Sequence, residues 1–173
     1  MKIMNREQAI KILKKYSPMP DDENLTEEMI NEYASAIMYF EENPHLSCIE
    51  PIMMTFSLDD CYGVYEHATC VLREFSNDEV VPHLIKAIRD EHEGRRYCGT
   101  DLAKFFPDER LVSPLLICID DLNDEIRGYV VYALGEIGDR SVLPILHNRL
   151  LKEDDENVCD ELKQVISKLE RLK

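Results

Sequence analysis

Four prolines, Pro51, Pro82, Pro114 and Pro144, stand 31, 32 and 30 residues apart. A chain that repeats itself at such an interval folds as a stack of like units, each burying its apolar face on its neighbours. The residues around the prolines repeat with them. Two positions before each proline come Ile49, Val80, Val112 and Val142; two positions after come Met53, Leu84, Leu116 and Leu146. Five or six positions after come Phe56, Ile88, Ile119 and Leu150, the spacing of one helical face. The pattern predicts a proline in the first turn of each such helix, where its missing N–H breaks no hydrogen bond.

Upstream of each of these helices lies another periodic segment. In the last copy Ile126, Val130, Ala133, Leu134 and Ile137 share a face, and earlier counterparts are Val64, Ala68, Val71, Leu72 and Phe75, and Met29, Tyr33, Ala36, Ile37 and Phe40. Val158, Leu162, Val165, Ile166 and Leu169 continue the series. Between paired helices the linkers carry cap chemistry, as in Gly138-Asp139. The third copy departs, because Gly94 and Gly99 interrupt it, so its first helix is expected to be short or kinked. No segment alternates as a strand does. The expected fold is all-α: an α-solenoid, or superhelix, of about four to five helix pairs with an extra basic N-terminal helix. Its parts are residues 1–20, repeats at 25–58, 59–91, 92–121 (irregular) and 122–152, and a capping helix at 156–172, all in one domain.

The segment from Asp120 to Leu151 resembles a HEAT repeat of the kind first recognised in phycobilisome-lyase proteins. Asp121, Ile126, Arg127, Val130, Ala133, Leu134, Gly135, Ile137, Gly138, Asp139, Val142, Leu146 and Leu150 fall on the repeat's pattern. The resemblance implies a curved stack whose second helices line a concave, partner-holding face.

The chain carries a net charge of −15. Residues 1–20 are basic, with Lys2, Arg6, Lys11, Lys14 and Lys15 against Glu7, whereas Asp21 to Leu72 holds twelve acids and no Lys or Arg. Such a field repels nucleic acid and anionic membrane surfaces and favours a basic protein partner. The six cysteines form no CxxC or CxxH pair and read as core residues of a reducing compartment. No apolar run is long enough for a signal-peptide core or a membrane span, so a cytoplasmic location and a monomer or weak dimer are expected.

Chemistry is sparse. The deoxyhypusine hydroxylases share this architecture but hold di-iron on several His-Glu dyads; here His92-Glu93 is the sole such dyad, with Glu66-His67 reversed. No glycine-framed nucleophile and no phosphate-binding loop is present, and the run from Asp120 to Glu125 reads as a helix start capped by Asn123 rather than a calcium loop. Neither catalytic residues nor a cofactor or metal is expected.

Two surfaces are expected to bind. The groove side of the second helices, one and four positions after each proline, is Ile52, Thr55, His83, Lys86, Leu115, Cys118, Ile145 and Asn148. An acidic patch is Asp59, Asp60, Tyr62, Tyr65 and Glu66, where tyrosine area and carboxylate charge together suit a cationic target. The expected function is a non-catalytic protein-binding module, either an acidic inhibitor or immunity protein for a basic toxin, or a scaffold or adaptor. The alternative is a lyase-like or other enzyme subunit with a ligand in its groove.

Overall fold

A computed structural model describes residues 4–59 and 63–172. Those residues form ten α-helices and no strand. The helices are α1 (Arg6–Lys15), α2 (Glu27–Glu42), α3 (Ile49–Met53), α4 (Val64–Leu72), α5 (Asn77–Ile88), α6 (Glu93–Leu102), α7 (Val112–Ile117), α8 (Asp124–Ile137), α9 (Leu143–Leu150) and α10 (Glu156–Arg171).

Two layers result. The first helices α2 and α4, and then α6, α8 and α10, pack side by side, while α3, α5 and α7 pack in the second layer. The helix α1 docks on α2 and α3, in the place of a second helix with no first helix of its own, and α10 docks on α8 and α9 as a first helix without a second. One continuous core, from Ala9 and Leu13 to Ile166 and Leu169, lies between the layers, and it contains most of the apolar columns predicted from the sequence.

Local chemistry starts and stops the helices. Asn5, Thr26, Asn123 and Asp155 accept hydrogen bonds from first-turn N–H groups, and Ser76 with Glu79 forms a capping box. Gly138 closes α8 in the left-handed region at φ 79°, its N–H on the Leu134 carbonyl, and Asp139 then accepts from the N–H of Ser141. Pro51, Pro114 and Pro144 sit in the first turn of their helices, each just after a 3-10 turn. Pro82 corrects the expectation: the capping box starts α5 five residues before it, so it lies inside the helix, on the exposed side.

The irregular third copy has its short first helix, ten residues in α6 against fourteen in α8, continued by a 3-10 turn at Ala103–Phe105. Its glycines serve close approach. A Cβ on Gly94 would lie 2.3 Å from the Ser57 backbone, and one on Gly99 would lie 3.0 Å from the Ala87 Cβ.

A repeated arginine ties the C-terminal units. Arg96 Nη1 donates to the carbonyls of Asp90 and Glu91 (3.1 and 2.9 Å) while its Nε reaches Asp121 at 3.0 Å. One unit on, Arg127 Nη1 donates to the carbonyls of Asp121 and Leu122 (3.0 and 3.2 Å), and its Nη2 reaches Glu153 at 2.7 Å. Each arginine thus holds the loop before its own helix and the acid of the loop that follows. The basic α1 is seated chiefly by buried Ala9, Leu13 and Tyr16; Lys15 pairs with Glu32, while Lys11 and Lys14 stay exposed.

Candidate binding groove on the first-helix face

The residues expected to line a second-helix groove separate into two sets. Ile52, Thr55 and Leu115 are fully buried and Cys118 nearly so, which corrects their placement on a binding surface. A stacked second helix meets its own partner beneath it and a neighbour on each side, so burial covers a wider arc than the apolar stripe alone predicts. Thr55 and Cys118 also lie beyond the ends of α3 and α7: Thr55 Oγ1 donates to the Ile52 carbonyl at 2.6 Å, and Cys118 Sγ to the Ile88 carbonyl at 3.3 Å. His83, Lys86, Ile145 and Asn148 do reach the surface, on α5 and α9 with α7 between them. Lys86 is spent on Glu50 at 3.4 Å.

The acidic patch is likewise divided. Asp60 and Tyr62 lie outside the described residues. Asp59 accepts the Asp22 N–H at 2.6 Å, and Glu66 is exposed. Tyr65 is buried, a correction to its expected role as a surface ring: its hydroxyl donates to the Thr55 carbonyl at 3.0 Å and accepts from the Ser57 N–H at 3.2 Å. The phenol is the acceptor for the Ser57 N–H and joins the Met19 N–H on the Thr55 carbonyl, and these bonds hold the ring inward.

A concavity lies on the other layer, over α8, α10 and the 3-10 turn Ala103–Phe105, with a volume of about 690 Å³. Its floor is where α8 carries no side chain: Gly128 faces Val158 of α10, and a Cβ there would stand 3.8 Å from Val158 Cγ2. Tyr129, Tyr132 and Phe105 supply aromatic walls, and Tyr132 and Phe105 are 42% and 38% exposed, enough to offer ring area to a partner. Carboxylates rim it. Asp124 and Glu125 belong to the first turn of α8 and Asp155 is the N-cap of α10, so helix-start chemistry stacks these acids along one edge. Glu136 and Glu161 close the other side. Burial raises the Glu161 pKa, Lys168 opposes this, and Glu136 adds to it.

A column of tyrosines explains why the aromatic wall stands there. Tyr33, Tyr65, Tyr97 and Tyr129 recur every 32 residues, one in each of α2, α4, α6 and α8. The first two are buried and meet edge to face at 6.2 Å. The last two meet at 5.2 Å with their hydroxyls 3.2 Å apart, half-buried at the groove. Burial raises both phenol pKa values, so both rings stay neutral. Tyr129 also borders a smaller hollow of about 320 Å³ over α4 and α6, whose acids are Asp59, Glu66 and Asp101. The two hollows form one strip along the first helices, acidic at its rims and aromatic within.

This column, and not the acidic patch, was the signal in the sequence that points to the groove; Phe105, Gly128 and Tyr132 carry no such signal. The His92-Glu93 dyad serves as a helix start, His92 as the N-cap of α6 and Glu93 accepting from Asn123 Nδ2 at 3.1 Å.

Stacked antiparallel helix pairs with a side-chain ladder between units define the class of α-helical repeat scaffolds. Comparison with known families adds the particular one: HEAT repeats match over residues 82–167, so this part of the chain is built of HEAT repeats. HEAT repeats generally serve as non-catalytic scaffolds for protein interaction. No curated protein matches the chain. Among the described residues no helix is long and apolar enough to cross a membrane.

Proposed function

We propose that this protein is a non-catalytic binding module that captures a basic protein partner in the groove over α8, α10 and the 3-10 turn Ala103–Phe105, in the manner of an inhibitor or immunity protein for a cationic target. The observation that carries this reading is the coincidence, in one concavity of about 690 Å³, of exposed aromatic rings with a rim of carboxylates. Rings supply contact area at little conformational cost, and the rim pairs with Lys or Arg while excluding polyanions. The overall charge of −15 adds long-range steering of a cationic partner. A scaffold or adaptor role would use the same surface for a basic segment of a larger assembly.

The experiment is a titration of labelled deca-lysine into the full chain at about 50 mM salt, followed by fluorescence anisotropy. Two double variants remove equal charge: Glu125→Gln with Glu161→Gln in the groove, and Glu27→Gln with Glu28→Gln on α2. The groove variant should bind about tenfold more weakly and the α2 variant within about twofold of the original, because exposed rim charges act chiefly where they are met at close range. Equal weakening by both would leave only a diffuse acidic field and would sink the groove reading.

A further inference from the structure

Among the described residues, Lys104 is the one cation lining the acidic groove, and its position is specific. Its ammonium stands 5.0 Å from the Phe105 ring centroid and 5.7 Å from that of Tyr129, and pairs with the Asp101 carboxylate. Two π faces and one carboxylate around one ammonium make a complete receptor for that group. Arg73 lies over the Phe105 ring as well, at 4.7 Å, so this exposed ring already serves two cations.

We infer that the groove contains a receptor for a primary ammonium, that Lys104 fills it in the free protein, and that a lysine of the bound partner takes its place. This rests on the groove being the binding surface. The resident is easily displaced. Lys104 belongs to the 3-10 turn Ala103–Phe105, and its pair with Asp101 is an i,i+3 contact with both side chains 30% exposed, the kind that contributes little to holding a fold. An incoming ammonium meets the same rings and Asp101, with further carboxylates close by. Asp124, Glu125 and Glu161 line the same concavity and make no ion pair among the described residues, whereas Glu136 is already met by Lys168 at 2.7 Å. Lys104 therefore acts as an internal competitor: it keeps the rings positioned while the groove is empty, and it sets a threshold that a weakly cationic segment does not pass.

The test uses the labelled deca-lysine titration with the full-length chain and three single variants. Lys104→Met removes the competitor while keeping an unbranched side chain. Lys104→Arg keeps a cation in place. Lys163→Met removes a lysine from a similar i,i+3 pair, with Asp160 at 2.7 Å, outside the groove lining. Lys104→Met should bind about fivefold more tightly than the original, with the other two within about twofold of it. Tightening by Lys163→Met equal to that by Lys104→Met would reduce the effect to overall charge and overturn the receptor. Unchanged or weaker binding by Lys104→Met, or equal tightening by Lys104→Arg, would overturn it too. The groove reading fails separately, through retained affinity in the Glu125 and Glu161 double variant. Absence of binding in every protein would remove both.

Discussion

The two halves of the stack solve the same problem with different chemistry. In both, a loop that follows a second helix must be fixed to the first helices beside it. In the N-terminal half neutral groups do this: Tyr65 bonds the Thr55 carbonyl and the Ser57 N–H, and Tyr33 meets Thr55 Oγ1 at 2.9 Å. In the C-terminal half charged groups do it, with Arg96 on Asp121 and Arg127 on Glu153, and Arg149 adding to Glu153 at 2.8 Å. The choice is forced in part by composition, because Asp21 to Leu72 contains no arginine or lysine at all. Neutral buried hydrogen bonds are insensitive to acid, and a partner stranded by the loss of one costs about 1–3 kcal/mol, less than a stranded charge does. A buried ion pair repays the desolvation of its charges only while both partners are present. The C-terminal half should therefore be the more fragile to single substitutions and to low pH.

The largest expected effect is on Arg127→Leu. The Glu153 side chain is fully buried and that of Arg127 is 8% exposed, so the substitution removes one of the two arginines that pair with a buried carboxylate, leaving it to Arg149 and the Asp154 and Asp155 N–H groups, and should lower unfolding free energy by about 2–3 kcal/mol in urea denaturation. A loss under about 1 kcal/mol would mean that the charged junction is no weaker a link than the neutral one.

Acid should pick out the same junction. Hydrogen bonds from Arg127 hold the Glu153 carboxyl far below the usual glutamate range, against the opposing effect of burial, with Arg149 and the Asp155 N–H helping. A carboxyl whose folded pKa is depressed stabilises the fold above its unfolded pKa of about 4.3 and ceases to do so as pH falls toward the folded value. Amide exchange in α10 should accelerate below about pH 4 while α2 keeps its protection. Replacing Arg127 and Glu153 together by leucine should remove that difference, and its persistence would assign the acid response elsewhere.

The smallest effects compare the tyrosines of one column. Tyr65→Phe removes an acceptor for a buried N–H and a donor to a buried carbonyl, and should cost about 1–2 kcal/mol in thermal unfolding. Tyr97→Phe leaves a half-buried Tyr129 hydroxyl that water can reach, and should cost about 0.5 kcal/mol or less. Equal losses would show that the two pairs are not used differently after all.

Much of this architecture was legible before any coordinates. The columns around Pro51, Pro82, Pro114 and Pro144 report burial directly, because an apolar residue at a fixed helical phase is a statement about what it touches. The α1 helix falls at Arg6–Lys15 within the basic segment expected at residues 1–20, and Arg127, a position of the HEAT pattern, holds the loop before its helix. The groove was less legible for three physical reasons. Phase counted from a proline cannot show that α3 and α7 end one or two residues before Thr55 and Cys118, turning those residues inward. Gly94 reads as a helix breaker until the Ser57 backbone is seen against it. Lys104 and Phe105 belong to a 3-10 turn in the copy whose register is irregular, so their convergence on Tyr129 depends on contacts 24 or 25 residues away in the chain. The tyrosine column was readable, but Tyr33 was absorbed into an apolar stripe and Tyr65 into an acidic patch.

The unpaired helices α1 and α10 give the array a particular kind of modularity. Each supplies half of a unit, and α10 turns Val158, Leu162, Val165 and Leu169 inward while Asp160, Lys163, Gln164 and Arg171 face solvent. A further unit of 31 or 32 residues inserted at the α9–α10 loop would meet the same two end surfaces that now meet each other. The aromatic strip would lengthen with it, so the reach of the groove could be tuned by copy number without redesigning either terminus.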